Sequence, residues 1–262
     1  MCDGVSELLA QRRGLIALSG REIDRVLKLW TQTVLAPILS SALFMVVFGL
    51  SLGARIKHID GIPYDQFIVP GLIAMGMAQA AYANNSATVF QARFDRYLND
   101  VLAAPMRGWE VNLGLNVGGA VRALSIGLGL LAIALPVTGV GIAHPFVLVL
   151  SIALLLVLFC TFGVIVGVYA ESWDHTAFVN NLVILPLSFL GGVFYSIDSL
   201  PSPWRELSHA NPIFFLINAV RYGFLGTSDA SVALSLGITA LFAAVCVAWS
   251  MWLFATGRRL KP

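Results

Sequence analysis

The chain has 262 residues, 58% of them hydrophobic and 11% charged, with a mean hydropathy of +0.84. Soluble domains carry about 25% charged residues, so one water-solvated core is excluded and the composition is that of a polytopic membrane protein. A net charge of +2, with no basic run longer than two residues, excludes a nucleic-acid-binding surface.

In chain order, the first thirty residues are interrupted by Arg12, Arg13, Arg21, Glu22, Asp24, Arg25 and Lys28 and hold no clean apolar core of a signal peptide. The first span is therefore expected to serve as its own targeting signal. Before it, SGREIDRVLKLW places Ser19 and Glu22 at capping-box spacing. Ile23, Val26, Leu27 and Trp30 then recur at helical spacing, with Arg21, Asp24, Arg25 and Lys28 on the other face. A helix starting at Ser19 and lying flat in the membrane interface is expected, so that 1–31 form a tail and interface helix and 32–262 one membrane domain.

Six stretches reach the roughly 20 apolar residues a crossing helix needs: 32–53, 67–89, 114–138, 146–170, 178–197 and 232–256. Between spans 2 and 3, Phe90, Phe94, Tyr97 and Val101 form one stripe with Arg93, Arg96 and Asp100 turned elsewhere, which predicts a single surface helix stopped by Pro105. A structured loop of that length asks for a contact. Arg122 lies inside span 3, where it either pairs, snorkels or couples. Asn84 and Asn85 in span 2, and Asn180 and Asn181 in span 5, suit interhelical hydrogen bonds. Gly191 and Gly192 mark the end of span 5. Beyond them Ser202 and Asn211 precede Pro203 and Pro212 as helix starts, and Pro212–Leu225 is about 21 Å long, too short to cross, so it is expected to dip and return.

Six spans put both termini on one side. Lys and Arg number five in the amino-terminal segment, three in the 90–113 loop and three in the tail (Arg258, Arg259 and Lys261), against Arg55, Lys57, Arg205 and Arg221 opposite, so both termini are expected in the cytoplasm.

Catalytic chemistry finds little support. No G-x-x-x-x-G-K-[ST] phosphate loop and no G-x-S-x-G elbow occurs. His58, His144, His175 and His209 fall in four loops without ligand spacing, so no metal site is expected. Cys2, Cys160 and Cys246 have no metal or redox spacing and read as ordinary buried thiols. A membrane-embedded enzyme would have only Asp95, Asp100 and Glu110 as a local acid group. A gradient-driven transporter or channel would ordinarily carry acids deep in its spans, and none lies at a span centre.

REIDRVLKLW, FIVPGLI, LNDVLAAPMRGWEVNLG and above all LGGVFYSIDSLPSPWRELSHANPIFFLINAVRYGFLG resemble the permeases of the ATP-binding-cassette type-2 class, in particular the YadH-like ones, over about Arg21 to Leu260. The class is similar to permeases that export nodulation factors, polysaccharides and drugs. The resemblance implies an all-α permease of the bacterial inner membrane, surrounded by membrane lipids. Two copies would pair with two copies of a separate ATPase subunit that binds ATP and Mg, leaving no cofactor in this chain, and an amphipathic substrate would leave by alternating access. It implies ATPase contacts at a coupling helix (Arg93, Asp95, Arg96, Asp100, Arg107) and at the interface helix (Arg21, Glu22, Arg25, Lys28). It further implies a pathway at the dimer seam along Tyr82, Asn84, Asn85, Phe178, Asn181, Phe189 and Phe194, and an outer gate at Gly191, Gly192 and Tyr195 below re-entrant helices.

Overall fold

The computed structural model describes residues 2–53, 55–59, 61–257 and 259–260, with side chains from Gln11 onward except those of residues 50 and 52. Arg258, Lys261 and the Cys2 side chain, which entered the sequence reading, lie outside the described part. The chain runs through α1 (Cys2–Lys28), a π turn (Thr31–Leu35), α2 (Ala36–Gly53), a hairpin of β1 (His58–Ile59) and β2 (Ile62–Pro63), and α3 (Tyr64–Phe94). It continues through α4 (Leu98–Ala103), α5 (Gly108–Thr138), α6 (Pro145–Tyr169), α7 (Trp173–Val179), a second π turn (Asn180–Ile184) and α8 (Leu185–Leu190). A 3-10 turn (Ile197–Ser199), α9 (Ser202–His209), α10 (Pro212–Leu225) and α11 (Val232–Thr256) complete it.

Among the described residues five helices are long and apolar enough to cross a membrane: the π turn with α2, then α3, α5, α6 and α11. The central one is α3, which packs on α2, α5, α6 and α10 and buries nearly every side chain from Phe67 to Val89. Small residues make that possible. On α6, Gly163 and Gly167 stand four apart, and a Cβ added to them would come within 2.6 Å of the Tyr82 carbonyl oxygen and 2.7 Å of that of Ser86. Backbones this close are the signature of small-x-x-x-small packing, a spacing present in the sequence that the hydropathy reading passed over. The short hairpin was also unforeseen, although Asp60-Gly61 is a type of pair that favours tight hairpin turns; Gly61 has φ 79° and Ile59 pairs with Ile62.

Three expectations need correction. The helix expected to start at Ser19 is already helical from Cys2, and Glu22 faces the bundle instead of reaching back to a cap. Only Val26 of the expected apolar stripe is buried, while Leu27 and Trp30 are exposed. The single helix expected over Phe90–Val101 breaks after Phe94, because Arg96 takes a left-handed φ of 62°. That conformation costs about 1–2 kcal/mol. The break turns Leu98 into the cluster of Leu18, Val111, Val168 and Leu260, where it is 1% exposed, and burying a leucine is worth about 1.5–3 kcal/mol. Burial wins.

The uninterrupted crossing expected over 178–197 is instead α7, a π turn and α8, ending at Gly191. Both π turns have one cause, since each ends two residues before a proline, Pro37 or Pro186. A proline offers no N–H to the carbonyl four residues back and its ring crowds that carbonyl, so the turn ahead widens. The amides of Ala36 and Leu185 accordingly reach Thr31 and Asn180, five residues back. The carbonyl that Pro37 cannot serve is that of Thr33, and it accepts a hydrogen bond from Arg122 Nε at 2.9 Å. Arg122 therefore pairs within the chain.

Candidate functional site: a charged cleft and the amide chain behind it

The two segments expected to meet a partner converge. A cleft of about 780 Å³ lies between α1 and the α3–α4 turn, with Arg21, Glu22, Asp24, Arg25, Lys28, Gln91 and Tyr97 among its lining. The Arg21 guanidinium sits 4.8 Å over the Tyr97 ring, bridging the two segments. Burial pushes the Tyr97 phenol above its ordinary value, with the neighbouring Arg21 opposing the shift, so it stays a neutral donor at physiological pH. Arg21, Asp24 and Lys28 are exposed. Glu22 is 1% exposed, so it is not a surface contact; it holds Arg21 at 2.9 Å and Arg25 at 3.0 Å.

Of the coupling-loop residues, Asp95 and Arg96 are exposed beside the cleft at the α3–α4 turn, and Asp100 and Arg107 are exposed without lining it. Arg93 is turned inward and donates to the carbonyls of Gly167 and Ala170 at 3.3 and 3.1 Å, which places a cation on the carboxyl end of α6. Glu110 is also engaged internally, accepting from the Arg107 amide at 2.7 Å as a cap of α5.

From the floor of the cleft a chain of hydrogen bonds crosses the bundle. Arg25 donates to Asn84 Oδ1 at 3.2 Å and to Thr88 Oγ1 on α3. Asn84 donates to Asn85 at 3.2 Å, and Asn85 donates to Asn116 Oδ1 on α5 at 2.7 Å and to the Cys160 carbonyl on α6 at 3.0 Å. Asn116 donates to Asn112 at 2.8 Å, and Asn112 to Ser250 Oγ on α11 at 2.7 Å. Five helices are thus tied by one line of polar groups. The sequence showed Asn84 and Asn85; it also held the signal for Asn112 and Asn116, two amides one turn apart on one helix face, which was missed.

This assignment separates the expected pathway residues. Tyr82, Asn84 and Asn85 are buried in the chain's own core, and the Tyr82 hydroxyl donates to the Thr176 carbonyl at 2.9 Å. They face no open surface in this conformation. Phe178 and Asn181 are exposed on α7 and the π turn, beside Leu182. Phe189 and Phe194 come together at the opposite end of the bundle, with ring centroids 5.6 Å apart, and Phe194 is 4.5 Å from Phe48 of α2. Phe44 stacks on Phe48 in turn at 5.9 Å, so α2 supplies two rings that sequence reasoning did not include.

The expected gate loop is firmly tied. Gly192 has φ 80°, and its carbonyl accepts from the buried Arg221 of α10, which also stands over the Phe67 ring at 4.1 Å and 3.8 Å from Asp229. Tyr64 donates to the Phe194 carbonyl at 3.2 Å and Asn211 to that of Leu187 at 2.6 Å. The Asn211 side chain caps α10 as its position suggested, accepting from Ile213 N at 2.9 Å. Gly191 is buried against Ile217, and Tyr195 is half-buried. Among the described residues no three His, Cys, Asp or Glu side chains converge as a metal site would need.

A bundle of apolar helices long enough to cross a bilayer defines a multi-pass membrane protein. Residues 13–225 match the ABC-2 type transporter family, and the chain belongs to that family. It is similar to the inner membrane transport permease YadH of Escherichia coli (strain K12), 38% identical over 250 residues that cover 94% of this chain and 96% of the relative. Nodulation protein J of Rhizobium leguminosarum bv. viciae is 25% identical over 224 residues, 82% of this chain and 85% of that protein. Nodulation protein J of Sinorhizobium fredii (strain NBRC 101917 / NGR234) is 27% identical over 221 residues, 82% and 84%. The protein is a multi-pass transport permease of the inner membrane.

Proposed function

We propose that this chain is the membrane half of an ATP-driven exporter of an amphipathic molecule, a lipid, a glycolipid or polysaccharide, or a drug, with a separate ATPase seated on the charged cleft. The supporting observation is the convergence of α1 and the α3–α4 turn on one concave, cation-lined surface. Arg21, Arg25, Lys28 and Arg96 offer charge to an acidic partner surface, and Asp95 and Asp24 fix its register. Arg25 reaches from this surface to α3, so a push on α1 is delivered to the buried amide chain and thence to α5, α6 and α11.

In this reading the charged end is cytoplasmic, and α7, the π turn and α8 together make the sixth crossing. Eighteen helical residues give about 27 Å, close to a hydrocarbon core near 30 Å. Helices α9 and α10 then fold back from the outer side. A second copy packs on the exposed faces of α2 and of α7 to α8, where Leu39, Leu43, Phe178 and Leu182 stand uncovered. Substrate slides between the copies past Phe178, Asn181 and the rings of Phe189 and Phe194, and alternating access opens the seam when the ATPases close on ATP and Mg.

The test is purification of the permease from its host in gentle detergent with mass spectrometry of what accompanies it, followed by Lys28→Glu and Arg96→Glu together, both exposed. An ATPase subunit in equal copies, lost from the double variant while thermal unfolding stays within about 2 °C, is the expected result, since exposed charges add little to stability. A chain that purifies without an ATPase, or a partner that survives charge reversal, overturns the reading.

A further inference from the structure

A second concavity lies on another face of the bundle. It occupies about 460 Å³ between α5, α6 and α11, within the roughly 300–1,000 Å³ of ligand sites. Leu113, Val117, Leu156, Val157 and Met251 form its walls and Trp109 its rim. Leu113, Val157, Met251 and Trp109 are exposed, so the groove opens sideways between helices that cross the membrane. Walls of this kind repel a soluble anion or sugar, whereas lipid is always adjacent.

Its length and its charge narrow the occupant. Along α5 the lining runs from Trp109 to Ala120, about 17 Å at 1.5 Å per residue, or about half the 30 Å hydrocarbon core. That is the depth of one leaflet: it suits an acyl chain and is too short for a crossing helix of a partner. At the end near Trp109 stand Arg107, exposed ahead of α5, and Arg259, past the end of α11 over the Tyr169 ring at 5.1 Å. The two ends adjoin, since Gly108 packs on Phe254. With Arg93 bound at the adjoining end of α6, three cations stand there against two acids, Glu110, buried as the α5 cap, and the exposed Glu171. Trp109 sits between apolar walls and charged rim, where indole favours the membrane interface.

We propose that this groove binds one anionic phospholipid, with an acyl chain along α5 and the phosphate held by Arg107. Asn112 and Asn116 line its floor, so the lipid abuts the far end of the amide chain that begins at Arg25. The site does not depend on the exporter reading.

Native mass spectrometry of the full chain, released from nanodiscs of equal palmitoyl-oleoyl phosphatidylglycerol and phosphatidylcholine, tests it. One retained lipid per chain is expected, with phosphatidylglycerol favoured about fivefold, as one basic contact provides. Val157→Trp fills the groove and should abolish retention of both lipids. Arg107→Glu leaves the groove volume alone and should abolish only the preference, so the test survives misfolding of the first variant. Equal retention of both lipids by the unmodified chain, unchanged retention in Val157→Trp, or an unchanged preference in Arg107→Glu overturns the proposal. A photo-crosslinking residue at position 251 should yield a lipid adduct, and an adduct with a second copy or another protein overturns it as well.

Discussion

The clearest quantitative consequence concerns Arg122 and Pro37. Pro37 has no amide proton for the Thr33 carbonyl, and Arg122 Nε supplies one from α5 at 2.9 Å. A hydrogen bond from a charged donor contributes about 1.5–3 kcal/mol, and measured values between membrane helices fall lower, so Arg122→Met should cost about 1.5–2 kcal/mol. In Pro37→Ala the new amide can serve Thr33 itself, and the same Arg122→Met change should then cost about 1 kcal/mol less. The cycle is measured by reversible unfolding in mixed micelles titrated with dodecyl sulfate, followed by tryptophan fluorescence. If the two substitutions add to within about 0.3 kcal/mol, the proline and the arginine are not coupled through this carbonyl and the reasoning fails.

Two other consequences follow from the packing of α3. Gly163→Ala puts a methyl 2.6 Å from the Tyr82 carbonyl oxygen and 3.0 Å from Asn85 Cβ, neither of which is a flexible tip, and should destabilise by about 1–3 kcal/mol. Gly237→Ala, with nothing within 4 Å, should be neutral or stabilising in the same unfolding assay; equal losses at both positions would mean that close approach is not the cause. Arg25→Ala leaves Glu22 buried with Arg21 alone and removes the donor to Asn84 and Thr88, at a cost of about 1–3 kcal/mol, tempered by the partial exposure of Arg25. Adding Glu22→Gln should recover part of that loss, and a double variant no more stable than Arg25→Ala would show that the under-paired Glu22 carboxylate is not the source of the loss.

Composition and hydropathy were enough to place this chain in a membrane, and local chemistry marked α10, because Asn at a cap position followed by Pro favours a helix start. The resemblance carried by the GGVFYS to RYGFLG segment led to the family. Other features were legible but weak: Gly163 and Gly167 at helix-contact spacing, the Asn112–Asn116 pair, and the prolines ahead of which the helices widen. What one strand of sequence does not hold is which face of each helix meets which neighbour. Glu22 reads as a surface acid because α1 is amphipathic, yet it is buried where α5 offers only Gly118 opposite it, with Arg21 and Arg25 of its own helix as partners.

Arg93 reads as a free cation of an exposed loop, yet the carboxyl end of α6, 74 and 77 residues further along the chain, presents two carbonyls to it. The 90–101 stripe was periodic enough to be one helix, and only the cavity waiting for Leu98 made a left-handed Arg96 the lower state. Periodicity, caps and prolines act within a few residues, so the sequence by itself determined the solvent, most of the crossing helices and their punctuation. Partners for buried charge and amide groups come from distant segments, so the cleft, the amide chain and the lateral groove were decided by tertiary packing alone.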